Sequence, residues 1–277
     1  MIIDTHTHIN FKAFKETSDE IIKKTLAENI WIVNVGTKYE TSEAAVLLAE
    51  KYSEGVFAAI GLHPMFTAAE FVKLKTDPDE GEFLLKEQEF DKEKYRALAQ
   101  SKKVVAIGEI GLDYYYKPKT TAKLEQFKEK QKRIFQEQLD LAKELNLPVI
   151  FHCRMAHDDV IEILQNQKLV GGIIHCFTGT LQQAQKYIAM GFYIGLNGII
   201  FKFNIDEVIK TISLDNIVVE TDAPYLTPLP ENGKKNEPIF IKHTIQKIAE
   251  LKGVSFEEVC QATTQNAMKL FGLDNNL

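Results

Sequence analysis

Close to the start of the chain, Asp4, His6 and His8 alternate with Ile3, Thr5, Thr7 and Ile9. In an extended segment successive side chains point to opposite faces, so the acid and the two imidazoles are expected on one face and the apolar or hydroxyl residues on the other. Imidazoles two residues apart on a strand can bind the same metal ion, and they fill an apolar core poorly unless their ring nitrogens are satisfied. An edge strand with its histidines in water would carry the same residues, so further ligands have to come from the rest of the chain.

Such residues recur at regular points. Glu109 in "AIGEIG", His152 in "IFHCR", His175 in "IIHCFTG" and Asp222 in "VVETDAP" each fall toward the C-terminal end of a short apolar, β-branched run, and His63 closes another in "IGLHP". There are eight such runs: "IIDTHTHI", "WIVNVGT", "FAAIGLHP", "VVAIGEIGLD", "PVIFHCR", "GIIHCFTG", "FYIGLNG" and "NIVVETDAPY". Helix-period stretches separate most of them; over 123–145, Leu124, Phe127, Ile134, Phe135, Leu139, Leu141 and Ala142 punctuate a charged sequence. Near-continuous apolar strands alternating with helices indicate a parallel sheet covered by helices. Eight repeats predict a (β/α)8 TIM barrel of the α/β class, with a doubly wound open sheet as the competing arrangement.

The chain has 277 residues, 45% of them hydrophobic, which suits one barrel domain spanning 1–277. The charged stretch 73–94 reads as an elaborated excursion between a strand and its helix. Barrel enzymes assemble their sites at the C-terminal ends of the strands, so His6, His8, Glu109, His152, His175 and Asp222 are expected around one mouth. As a purely structural set they would bury four imidazoles and two acids at a desolvation cost with no return. Metal binding is the better reading.

Three cysteines, Cys153, Cys176 and Cys260, are an odd number without CxxC spacing, which fits a reducing compartment, and a cytoplasmic location is expected. Cys153 follows His152 and Cys176 follows His175, so alternation predicts both thiols facing the helices, away from any nucleophilic Cys/His pairing. No apolar run is long enough to span a bilayer, and no basic-then-apolar leader opens the chain, so no membrane association is expected. The net charge of -6 argues against an architectural DNA binder. It does not exclude an enzyme that grips a phosphate through metal ions, because a local dication dominates the field in a cleft.

With these residues in place the chain resembles the TatD family of metal-dependent deoxyribonucleases, within the amidohydrolase-like barrels. "DTHTHI", "GLHP", "IGEIGLDYY", "LPVIFHCR", "HCFTG", "ETDAPYLTP" and "KKNEP" occur in the family's order and approximate spacing, from end to end of the chain. The resemblance implies two divalent ions, Mg, Mn or Zn, held by His6, His8, Glu109, His152, His175 and Asp222. His6, His8 and Asp222 would hold one ion and His152 with His175 the other, with Glu109 bridging. Asp222 is the expected general base as well as a ligand, Asp222 and Glu109 being the catalytic pair, and His63, Arg154 and Asn236 are expected substrate contacts. Glu220, two residues before Asp222, is expected to support the ligands by a hydrogen bond. Tyr114, Tyr115 and Tyr116 at the mouth either stack on a base or pack the loop.

Two departures from the family pattern stand out. Lys235 replaces the usual Arg before Asn-Glu-Pro, a point charge in place of a fork. Met155 stands after His-Cys-Arg where the family often has Asp. The expected substrate is DNA, at ends or in single strands, cut by a monomer. The alternative is a hydrolase of a small amide, lactone or phosphoester, a branch that a carboxylated bridging lysine would favour; Glu109 stands at that strand end instead. An idle binding or scaffold protein would not need the complete ligand set.

Overall fold

Isoleucine and valine are the commonest residues of the eight strands because each strand is covered on both faces, by the lumen on one side and by helices on the other. The computed structural model describes residues 1–67 and 88–273. Its strands are β1 (Ile2–Thr7), β2 (Ile30–Val35), β3 (Val56–Ile60), β4 (Val104–Asp113), β5 (Val149–Arg154), β6 (Gly172–Ile174), β7 (Phe192–Leu196) and β8 (Ile217–Val219). They form one parallel eight-stranded sheet in sequence order, a nearly closed (β/α)8 barrel. The helices are α1 (Ser18–Ala27), α2 (Tyr39–Glu50), α3 (Pro64–Thr67), α4 (Lys92–Leu98), α5 (Thr121–Leu145), α6 (His157–Leu164), α7 (Leu181–Ala189), α8 (Asp206–Thr211), α9 (Ile241–Lys252) and α10 (Phe256–Phe271). Most of the expected 73–94 excursion lies outside the described residues. Among the described residues no helix is long and apolar enough to cross a membrane.

An inner cluster joins Ile3, Val33, Ile150, Ile173 and Val218, from strands around the barrel, to Ala267, Met268 and Phe271 of α10. The larger cluster packs the outer strand faces against the helices. Two strands depart from regular register, and they are the ones that supply His6, His8 and Glu109. β1 shifts against β2 between Asp4 and Thr7, and β4 shifts against β5 between Ile107 and Ile110. Such irregularities beside active sites re-aim side chains. The shift in β1 corrects the expectation that Asp4 shares a face with His6 and His8. Asp4 turns instead to β8, accepting from Thr221 N at 2.9 Å and from Thr221 Oγ1 at 2.5 Å.

That contact closes the barrel. Among the described residues β8 and β1 share no paired ladder; single bonds join them, from Asp222 N to His6 O, His8 N to Ala223 O and Thr5 Oγ1 to Val219 O. Burial pushes the Asp4 carboxyl up to about 8 against the pull of its Thr221 bonds.

Helix α5 contributes more than an apolar face. Gln131 and Gln138, seven residues apart and both buried among Ile134, Phe135 and Leu139, each bind one backbone residue by both amide atoms. Gln131 accepts from Asp113 N and donates to Asp113 O, at 2.9 and 3.0 Å. Gln138 does the same for Leu62, at 2.7 and 3.0 Å, and so fixes the residue before His63. Gly111 meets a different demand: a Cβ there would lie 2.0 Å from His152 O, and its φ of 147° suits only glycine. This lets β4 lie against the end of β5 that carries His152.

Replacing Asp4 with Ala should leave the Thr221 N–H buried without a partner and weaken closure. The expected loss is about 1–3 kcal/mol of unfolding free energy, read by chemical denaturation of the metal-free chain. An unchanged midpoint would show that the ladder-like backbone bonds alone close the barrel.

Candidate metal centre

The six residues expected at the mouth converge there. His6 Nε2 and His8 Nε2 are 3.1 Å apart, and Asp222 Oδ1 lies 3.6 and 3.3 Å from them. Glu109 Oε2 faces the same two nitrogens at 3.5 and 3.9 Å. The other oxygen of Glu109 faces a second set: His152 Nδ1 at 2.6 Å, His63 Nε2 at 3.5 Å and His175 Nε2 at 3.8 Å. The His6 and His175 rings stack with centroids 3.6 Å apart.

For His8, His175 and His63, hydrogen bonds at the far side of the ring decide which nitrogen faces the centre. His8 Nδ1 lies 2.9 Å from Val35 O, a carbonyl that only accepts, so the proton sits on Nδ1 and Nε2 offers a lone pair. His175 Nδ1 lies 2.8 Å from Glu220 Oε1, which leaves its Nε2 for the centre. Glu220 is itself fixed by Asn197 Nδ2 at 2.9 Å and Cys176 N at 2.8 Å. His63 has the opposite arrangement: Nδ1 accepts from Met65 N at 3.0 Å, so the neutral ring carries its proton on Nε2 and donates.

These contacts fit a metal. Two imidazole nitrogens 3.1 Å apart, one of them tied to a lone-pair tautomer and both flanked by carboxylate oxygens, need a cation or a proton among them. His6, His8 and Asp222 form one group whose candidate donor atoms lie mutually within 4.8 Å; Glu109 and His152 stand in another with His63, whose protonated Nε2 suits it to a hydrogen bond and not to ligation. Nitrogen and carboxylate donors without thiolate suit Mg²⁺, Mn²⁺ or Zn²⁺.

In the metal-free chain, protons take over part of that charge balance. Burial opposes ionisation of Glu109, yet His63, His6 and the bond from His152 hold it well below the usual carboxylate range. Burial likewise disfavours the charged form of His175, but Glu220 and Asp222 outweigh it and push the ring up to about 10. His152 rises to about 9 because Asp113 and Glu109 bind both its nitrogens, again against burial. His6 and His63 are lowered, by burial first and then by a neighbouring imidazole.

The whole chain can then be set beside known proteins. The family model described as TatD related DNase matches residues 3–272. The chain belongs to this family. It is 38% identical to the uncharacterized metal-dependent hydrolase YabD of Bacillus subtilis over 99% of this chain and all of that protein. It is 32% identical to the 3'-5' ssDNA/RNA exonuclease TatD of Escherichia fergusonii over 98% of this chain and 99% of that protein. In structure it is similar to the TatD homolog YjjV of Escherichia coli, with a TM-score of 0.82, 30% identity and 98% of each chain covered. It is a metal-dependent hydrolase of the TatD family.

Within this TatD-type centre the sequence-predicted residues differ in placement. Arg154 is exposed at the mouth, its guanidinium 3.7 Å over the Tyr115 ring. His63 lies inside the cluster with its ring 4.1 Å from that of His152. Asn236 does not reach the mouth: it is wholly buried, and Nδ2 donates to Thr221 O and Tyr225 O, so it holds the loop after β8 instead of lining the opening. Lys235 Nζ donates to Ala13 O at 2.8 Å. Met155 is exposed beside Arg154. Cys153 faces the helices as expected, 3.2 Å from His157 Nδ1. Cys176 does not: β6 ends at Ile174, the backbone at Cys176 turns to φ 47°, and its thiol lies 3.7 Å from Asn197 Oδ1 beside Glu220. Alternation ceased to apply where the strand ceased.

Asp113 was not singled out by the sequence reasoning. It is buried and binds His152 Nε2 at 3.1 Å through Oδ2. The signal was present, since Asp113 lies four residues after Glu109 and therefore on its face of the strand.

The raised histidines carry a sign. Their folded pKa values exceed the ordinary 6.5, so the protons stabilise the metal-free chain fully below that pH and are lost as pH rises through about 9 and 10. Divalent ions compete with those protons. Metal uptake at pH 7 should therefore release protons and tighten as pH approaches 9. Calorimetric titration in two buffers of different ionisation heat reads the release, and identical heats in both would contradict it.

Proposed function

We propose that this TatD-family hydrolase is a two-metal deoxyribonuclease acting exonucleolytically on single-stranded or frayed DNA ends. The observation that carries the reading is Glu109, whose two oxygens each face a different group of imidazoles. His6, His8 and Asp222 would hold one ion with Glu109 Oε2; His152 and His175 would hold the other with Glu109 Oε1. Two bound divalent ions would supply Lewis acidity and charge neutralisation to a phosphodiester lying across them.

The chain's own groups do the rest. Asp222 is ionised, held below the usual range by His175, His8 and His6 against burial, and its side chain keeps 13% exposure toward the mouth. We assign it as acceptor of the proton released when water attacks phosphorus and the bond to the leaving sugar oxygen breaks. His63, with its donor on Nε2, and Arg154 would bind phosphate oxygens. Glu220 keeps the tautomer of His175, and Asp113 orients His152.

Support for a nucleic-acid substrate comes from the rim. Although the net charge is -6, Arg154 at the end of β5 and Lys117, Lys119 and Lys202 on the loops after β4 and β7 are exposed and lack an ion-pair partner among the described residues. Relatives named as 3'-5' ssDNA/RNA exonucleases point the same way. Metal-depleted chain should regain cleavage of end-labelled single strands with Mg²⁺, Mn²⁺ or Zn²⁺, shortening them progressively, and act weakly on intact duplex. Hydrolysis of a small amide or lactone without any DNA cleavage would overturn the nuclease reading.

Glu109→Gln keeps the size of the bridge and removes its charge, so the cations would repel with less compensation. Activity should fall at least about a hundredfold. Metal content should fall as well, more at the His152/His175 position, which would retain two strong ligands. Asp222→Asn should abolish cleavage yet keep the ion at His152 and His175. Mass-spectrometric metal counts beside rates separate the two; near-normal cleavage by Glu109→Gln at saturating metal excludes the bridged mechanism.

A further inference from the structure

Beside the centre, around Arg154, lie two exposed aromatic rings that the chemistry above does not use. Tyr115 is 49% and Tyr116 38% exposed, and their rings meet edge to face with centroids 4.7 Å apart. The guanidinium carbon of Arg154 lies 3.7 Å from the Tyr115 centroid and 5.7 Å from that of Tyr116. Tyr114 is separate: it is buried, and its hydroxyl donates to Asp159 Oδ2, so it packs the loop.

This surface is wired to the centre. Tyr115 N donates to Asp113 Oδ1 at 2.8 Å, and the other oxygen of the same carboxylate binds His152 Nε2. On the facing strand Asp113 pairs with Arg154, and Tyr114 N donates to Arg154 O at 2.9 Å. The two tyrosines and the arginine thus stand at the ends of β4 and β5, one carboxylate away from the imidazole that would hold the second ion. Two half-exposed large rings at a site mouth, with a cation over one and no acid paired to it among the described residues, have the composition of a single-strand platform.

We propose that Tyr115, Tyr116 and Arg154 form a base-stacking subsite that receives an unpaired nucleobase next to the scissile phosphate. This rests on the nuclease reading and adds to it the reason for single-strand preference. A base inside a duplex has both faces covered by its neighbours, whereas an unpaired base offers one to Tyr115 or Tyr116. Stacking reads no hydrogen-bonding edge, so the subsite accepts all bases. Arg154 takes the adjacent phosphate, and Lys117 and Lys119 on the same loop as the tyrosines continue the cationic track.

The test is binding, measured apart from cleavage by fluorescence anisotropy of the metal-depleted full chain with a labelled thymidine oligonucleotide and an abasic strand of equal length. Wild type should favour the base-bearing strand by about tenfold. Tyr115→Ala should lose most of that preference and Tyr115→Phe should keep it, since the ring persists. Arg154→Ala should weaken both strands alike and lower the slope of affinity against salt by about one phosphate contact. Equal wild-type affinity for the two strands, or an undiminished preference in Tyr115→Ala, overturns the subsite even where DNA is cleaved. Binding to neither strand overturns it too, and if restored metal also yields no cleavage, the nuclease reading fails with it.

Discussion

The buried carboxylate of Glu109 sets the terms for everything around it. It is 4% exposed, yet it stays ionised. A lone carboxylate in such a place would neutralise itself, because the desolvation cost of the charge exceeds what an apolar wall returns. Positive partners must therefore surround it, and the barrel delivers imidazoles from β1, β5 and the ends of β3 and β6 to within 3.9 Å of its two oxygens. Those imidazoles are poor core residues in turn, and three of them are anchored on the outer nitrogen: His8 by Val35 O, His175 by Glu220 and His152 by Asp113. The outer layer of Asn197, Gln131 and the backbone of Cys176 then holds the anchors. One buried charge thus organises three successive shells of hydrogen bonds.

The same concentration of polar groups constrains how the barrel closes. β8 is only three residues long, Ile217–Val219, and the chain beyond it must give Glu220 and Asp222 to the centre. A regular ladder between β8 and β1 would continue strict alternation on both strands. It is replaced by the Asp4–Thr221 bonds and by backbone bonds that reach across from Asp222 and His8. Stability at this seam comes from polar bonds between buried groups rather than from apolar area. The fold has accepted a weaker seam where the function demands irregular backbone, which is the usual relation between a site and its scaffold.

The sequence disclosed the architecture and the six converging residues for the same reason: each polar residue interrupts an apolar run near its C-terminal end, and barrel topology sends all such ends to one face. What it hid was local. Asp4 obeys alternation on paper, but the register shift in β1 cannot be read from residue types. Cys176 was expected outside because the run "GIIHCFTG" continues past the true end of β6 at Ile174. Asn236 was expected to contact substrate because it opens the segment after the eighth strand, while its side chain serves two backbone carbonyls. Gln131 and Gln138 are polar residues of a charged helix, and residue type alone does not show that both face inward and hold backbone.

Net charge misleads in a related way. At physiological ionic strength the screening length is about 8 Å, so a polyanion approaching the mouth feels the groups lining it far more than the acidic surface elsewhere. Much of that acidity is in any case spent locally, as in the pairs of Glu144 with Lys92 and Arg96 or of Glu237 with Lys24. The acids at the centre are likewise compensated, by protons on His152 and His175 when metal is absent and by the ions themselves when it is bound. A formally acidic chain can therefore present a mouth whose effective field is positive, with Lys117, Lys119, Arg154 and Lys202 exposed around it and without an ion-pair partner among the described residues. Such a field is short in range. It acts most strongly on charged groups already inside the opening and fades within a screening length outside it, so the local groups at the mouth outweigh the acidic surface elsewhere.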